Sequence, residues 1–246
     1  MIRRAARLCA PLLLVAGCSG SEATDAGIGA DTGVGTDSGV APADSGVDAG
    51  PQPCEAWQVE YALTGSEFEI RNTPFGAGDA VNVVGPGTLV LLFPGDDASG
   101  PTAGEVRMLQ YTLAMEFAVA LGTAGNVATD VDITAGPEAC GVAVGTRTSS
   151  VVAWSTPLTG YHSMGTVTCN ASEFLCGAAN LPVGQPVVQD TNTDQALMPF
   201  VFAGDADFSS FTMAEVEVPN DQAGDTFLRL KGAEVSRSCV AQPSCP

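Results

Sequence analysis

Asp190-Thr191-Asn192-Thr193-Asp194 places oxygen-bearing side chains at i, i+2 and i+4. Alternate residues of a loop can converge on one hard cation, and carboxylate and amide oxygens are the ligands Ca²⁺ prefers. Asp190, Asn192 and Asp194 are therefore candidate Ca²⁺ ligands. A second run, Gly160-Tyr161-His162-Ser163-Met164-Gly165, lies near the G-x-S-x-G pattern of a serine nucleophile. Its first glycine stands one residue too far from Ser163. His162 is the sole histidine, so none follows Ser163 to act as its base. The run reads instead as a polar loop before a strand.

The acidic run resembles the first half of an EF-hand-like loop. It departs from that pattern at Gln195, where a turn glycine belongs, and at Val201, where a bidentate glutamate belongs. Gly76-Ala77-Gly78 lacks the third glycine of a dinucleotide fingerprint, and there is no phosphate-binding G-x-x-x-x-G-K-[ST]. Carboxylates are abundant, so a pair suited to glycoside hydrolysis is possible in space, but no local motif singles one out.

Cysteine usage is more informative. The N-terminus has Arg3, Arg4 and Arg7, then an apolar run from about Leu8 to Ala16, then Gly17-Cys18. The run is shorter than the roughly 20 apolar residues that span a bilayer. It has the order of a secretory signal. Val15-Ala16-Gly17-Cys18 resembles the lipobox of bacterial lipoproteins. That resemblance implies a diacylglyceryl group on the Cys18 sulfur, cleavage before Cys18 and acylation of the new amine. Two or more acyl chains anchor a protein stably to membrane. With Ser19 after the cysteine, the resemblance points to the outer membrane. Cys9 falls in the signal, which leaves Cys54, Cys140, Cys169, Cys176, Cys239 and Cys245 as disulfide candidates in an exported chain. Cys169 and Cys176 are close enough to close a local loop. Cys54 can be stapled to one of the two C-terminal cysteines, leaving Cys140 for the other. Zinc is disfavoured, since there is no C-x-x-C and only one histidine.

The formal net charge is −19, and Lys231 is the single lysine. Loss of Arg3, Arg4 and Arg7 with the signal makes the exported chain more acidic still. Such a chain will not track nucleic-acid backbones. From Ser19 to Pro53 it is built of Asp, Gly, Ala, Ser, Thr and Val, with Asp-x-Gly units such as Asp31-Thr32-Gly33 and Asp44-Ser45-Gly46. This composition cannot bury a core and is expected to act as a flexible spacer. A flexible coil of this length reaches roughly 30–35 Å.

Beyond it, period-two alternation dominates. Trp57, Val59, Tyr61 and Leu63 share one face. So do Val127, Thr129, Val131 and Ile133. Thr88 to Phe93 reads as a central strand. Glu105 to Leu121 reads as one long bent strand or two, with Val106, Met108, Gln110 and Thr112 on one side. Gly141 to Thr148 and Ser150 to Ser155 read as a hairpin. About ten strands between turns, without helical crossovers, predict an all-β fold, an antiparallel β-sandwich or jelly roll stapled by disulfides. The expected organisation is a signal peptide at 1–17, a lipidated acidic tether at 18–53 and one β domain at 54–246. The expected function is a non-catalytic binding or structural domain, held to membrane by its lipid and facing an envelope protein or glycan. The alternative is a carboxylate-dependent polysaccharide hydrolase.

Overall fold

Gly104–Ala120 forms a strand of 17 residues, β6, and the rest of the sheet is arranged along its two edges. The structure is a computed structural model, and it describes residues 54–71, 80–83, 85–155, 158–192, 200–218 and 225–245. The signal, Cys18 and the Asp-Gly tether lie outside the described residues. On one edge β6 pairs with β4 (Gly87–Asp96), from Leu113↔Gly87 to Arg107↔Leu92. On the other edge its first residues, Gly104 to Met108, pair with β8 (Ala143–Thr148). From Tyr111 to Ala120 the same edge pairs with β7 (Gly125–Ala135).

The partners change at Leu109 and Gln110. Leu91 faces Met108 while Val90 faces Gln110, so Leu109 is an extra residue, a β-bulge. The bulge reverses the side-chain alternation. Val106 and Met108 are buried before it, and Tyr111, Leu113, Met115, Phe117 and Val119 after it. The expected face that joined Met108 to Gln110 and Thr112 is therefore broken. The carbonyls of Met108 and Leu109, freed where β8 and β7 part, accept from Val142 N–H and Glu138 N–H at 2.6 and 2.9 Å. Gly136, with φ +79°, permits this approach, since a Cβ there would sit 2.4 Å from the Leu109 oxygen.

The β4–β6 pairing closes a barrel. Its other members are β1 (Ala56–Ala62), β9 (Val151–Trp154), β12 (Val201–Gly204), β13 (Ser210–Met213) and β16 (Lys231–Val240). Around the ring the order is β6, β8, β9, β12, β13, β16, β1, β4 and back to β6, with antiparallel neighbours throughout. The fold is thus nearly all β, as expected, but the main sheet is a closed eight-stranded barrel, not a clear two-sheet sandwich or jelly roll. Both outcomes draw on the same alternation, and only the long-range β4–β6 pairing separates them.

Two smaller sheets adjoin the barrel. The second half of β6 continues into a wing through β7, β10 (Tyr161–Ala171) and β11 (Pro186–Asn192). A separate four-stranded sheet has the order β14 (Val216–Val218), β15 (Asp225–Arg229), β2 (Glu67–Arg71), β3 (Ala80–Val83). Its Phe68 ring lies 5.0 Å from the Phe117 ring of the wing. A two-residue strand, β5 (Gly100–Pro101), pairs with the end of β4. The helix α1 (Glu173–Ala178), six residues long, was not legible in the sequence and begins inside the Cys169–Cys176 disulfide loop, with Cys176 in the helix itself.

Three disulfides form, Cys54–Cys239, Cys140–Cys245 and Cys169–Cys176, with Cα–Cα distances of 5.3, 5.4 and 5.7 Å. The first ties β16 to the segment entering β1. The second fixes the C-terminus against the loop before β8.

Aromatic rings fill the barrel, and glycines make room for them. Phe202 and Phe211 stack at 4.3 Å, and Tyr61 meets Phe211 edge-on at 5.2 Å. Gly232 pairs directly with Phe211, and a Cβ there would stand 2.0 Å from the Phe211 ring. Gly145 pairs with Trp154 and would meet its ring at 2.9 Å. Gly232→Val is expected to cost about 1–3 kcal/mol through overpacking, read as a lower midpoint in chemical denaturation. An unchanged midpoint would mean the barrel can dilate at this point.

Candidate functional site

The two ends of the barrel differ. At one end the β12–β13 turn folds inward. The Asp205 carboxylate accepts from the Ser209 N–H and hydroxyl at 2.6 and 2.7 Å and from the Ser210 hydroxyl at 2.9 Å. This holds Phe208, at φ +59°, fully buried, and the Tyr61 hydroxyl donates to the Phe208 carbonyl at 2.6 Å. Arg147 is 4% exposed and donates to the carbonyls of Ser149, Pro101 and Ala206 at 2.8–2.9 Å. Its guanidinium lies over the Phe93 and Phe208 rings at 5.6 and 5.2 Å. Burial pulls its pKa down. Each of its three nitrogens donates once to a carbonyl, so the guanidinium, the Phe208 turn and the Phe93 ring together plug this end.

The opposite end is a mouth. Between the barrel, the wing and the four-stranded sheet lies a cavity of about 190 Å³. Its wall includes Phe68, Met108, Tyr111, Met115, Phe202 and Leu228. Three of the chain's six methionines, Met108, Met115 and Met213, line it. Methionine is unbranched and adapts to irregular contents. The one charged residue on the wall among the described residues, Glu217, stands directly opposite Phe227, which stands opposite Glu69. Residues paired in this way share a face, so Glu217 belongs to the outer face of the small sheet.

A narrower notch of about 50 Å³ continues from the cavity along the wing and shares Met115, Ile133 and Tyr161 with it. Here Thr129, Ser163 and Gln189 enter the wall. Tyr161 is hydrogen-bonded to Ser163, which offsets part of the upward shift that burial gives its phenol. Burial also raises the pKa of Tyr111, so both phenols are neutral at physiological pH.

The outer face of the small sheet carries the charges. Glu69, 11% exposed at its side chain, accepts from Arg71 at 2.7 Å and from Arg229 at 2.7 Å. Glu215 bridges the same two arginines, and Glu67 accepts from Arg229 at 3.0 Å. The Arg71 guanidinium lies 4.1 Å from the centre of the Phe227 ring. The network binds β2, β15 and the approach to β14, the elements that roof the cavity.

Asp190 sits on β11, opposite Met164, and its carboxylate lies 2.8 Å from His162 Nε2. The strand ends at Asn192, and Asp194 lies outside the described residues. His162 and Ser163 are adjacent on β10, not in a loop, and face opposite sides of the wing. That geometry cannot couple them as base and nucleophile. Among the described residues, the metal-ligand types that meet are Cys54, Asp97 and Cys239. The two sulfurs are joined in a disulfide and are not thiolate donors.

The site defines the molecule as a disulfide-stapled β-barrel with a plugged end and an apolar, uncharged mouth. No protein-family model, no curated protein and no solved structure matches the chain.

Arg71 and Arg229 hold the Glu69 carboxyl down at about 2, against an ordinary value of 4.5. A depressed folded-state pKa contributes stability that is complete above pH 4.5 and is lost as pH falls toward 2. Thermal midpoints of the wild type should therefore fall more steeply across this window than those of Glu69→Gln. Parallel curves would remove the network from the acid response.

Proposed function

We propose that this chain is a lipid-anchored, extracytoplasmic binding protein of the outer membrane, with the barrel mouth as its receptor. The cavity carries the binding half of this reading. Ligand sites favour concave, largely apolar places with a few polar groups, and barrel mouths are among them. The membrane half rests on Arg3, Arg4, Arg7, the apolar run and Cys18 in lipobox order, followed by the acidic tether. No helix among the described residues is long and apolar enough to cross a membrane. In this reading Cys18 supplies the anchor and the tether supplies reach.

The polysaccharide hydrolase receives less support. Retaining and inverting glycosidases both need two carboxyls facing one bond. Among the described residues, the cavity and notch walls include only Glu217 and Asp130 as acidic residues, and the register places both on the outer faces of their sheets. Ca²⁺ at Asp190, Asn192 and Asp194 remains a proposal separate from the cavity, and millimolar Ca²⁺ should raise the thermal midpoint if it binds there.

Anchoring is tested by palmitate labelling and detergent phase partition in the native cell. Wild type should label and enter the detergent phase, and Cys18→Ser should do neither. Equal partition of the two would remove the anchor. Binding is tested with p-xylene, a small uncharged probe, added to the full chain carrying Cys18→Ser. Methyl resonances of Met108, Met115 and Met213 should shift and saturate. Unmoved resonances would remove the receptor.

A further inference from the structure

We infer that the cavity and its notch together take a neutral amphipathic molecule, a hydrocarbon of about eight carbons bearing one uncharged hydrogen-bonding head, such as a medium-chain alcohol or ester. The inference rests on the binding reading above and names its ligand class.

Size sets the hydrocarbon. An apolar cavity of about 150 Å³ takes benzene, so one of about 190 Å³ has room for roughly seven or eight carbons. The wall sets its polarity. Phe68, Leu228 and Val216 stand opposite one another and line the cavity from the small sheet. Glu67, Glu69, Arg71 and Arg229 occupy the other face and are paired there.

The head is placed by the asymmetry of the polar groups. They are not scattered around the cavity but gather where it narrows into the notch. Tyr161 belongs to both spaces, and its hydrogen-bond partner Ser163 and the neighbouring Thr129 and Gln189 belong to the notch. Tyr111 lines the same cavity as Tyr161. Hydroxyls and an amide can donate to and accept from an alcohol, ester or amide.

The same groups select against charge. Among the described residues, neither wall contains Lys, Arg or His to meet an anionic head. Asp130 contributes to the notch, but it stands opposite Glu116 and Thr166 on the outer face of the wing. A cationic head would find no carboxylate on the inner face either. Burying an unpaired charge is far more costly than burying a hydrogen-bonded hydroxyl.

The test uses the full chain carrying Cys18→Ser and four probes: 1-octanol, octanoate, octylamine and p-xylene. Octanol should bind at least about tenfold more tightly than octanoate or octylamine. Tyr161→Phe should weaken octanol by about three- to tenfold, one neutral hydrogen bond, and leave p-xylene unchanged. Ile133→Phe, which adds bulk at a wall position shared by both spaces, should weaken octanol and p-xylene together. Either charged probe binding as tightly as octanol, or octanol indifferent to Tyr161→Phe, overturns the inference while p-xylene binding still upholds the receptor. Failure of both octanol and p-xylene overturns the two together.

Discussion

Closure of the barrel depends on β6 keeping one partner on one edge while exchanging partners on the other. A straight strand paired to β8 throughout would leave no wing, and one paired to β7 throughout would leave no ring. The bulge at Leu109 lies where the exchange happens. It bends the strand and reverses its faces, so Met108 points into the barrel and Tyr111, Leu113 and Met115 still point inward beyond it. The loop after β7 then covers the two carbonyls that neither β8 nor β7 can satisfy. The cavity sits beside this junction because its wall is drawn from both halves of the strand.

An eight-stranded barrel is only just wide enough for side chains to fill it. Here the filling is uneven. Near the plug, Phe93, Phe208 and the Arg147 guanidinium are layered together, and Gly232 and Gly145 give up their own volume to the rings opposite them. Toward the mouth the wall passes to Met108, Met115 and Met213, which extend but do not stack. Trp154, within the aromatic cluster, keeps a buried indole N–H without a partner among the described residues. The space left at the mouth is walled by these methionines together with Tyr111, Phe200 and Phe202, which line it without filling it.

Much of the local structure was legible. Alternation located β1, β7 and the β8–β9 hairpin, since a strand with one buried face must repeat every two residues. The end-to-end staple and the Cys169–Cys176 loop followed from where the cysteines stand. Closure was not legible, because β4 and β6 look the same whether their free edges meet or face solvent. Tyr161-His162-Ser163 reads as a loop when it is tested for nucleophile chemistry, yet in β10 the neighbours simply divide between two faces. The cavity was least legible of all. Its wall takes four residues from β6 and one or two from each of many other elements, and no short stretch of sequence contains it.

Alternation also explains how so acidic a chain, with a net charge of −19, keeps its carboxylates off the inner face of the small sheet. In β2 the order Glu67, Phe68, Glu69, Ile70, Arg71 sends the charges outward and the apolar residues inward. A slip of one residue would exchange the faces and place carboxylates in the cavity. The Glu69–Arg71–Glu215–Arg229 network opposes such a slip, because its hydrogen bonds span β2, β15 and the approach to β14 in one register. Surface ion pairs contribute little energy singly. A linked set that can be satisfied in only one register acts mainly on specificity. In this sheet, the charges outside fix which residues face the space inside.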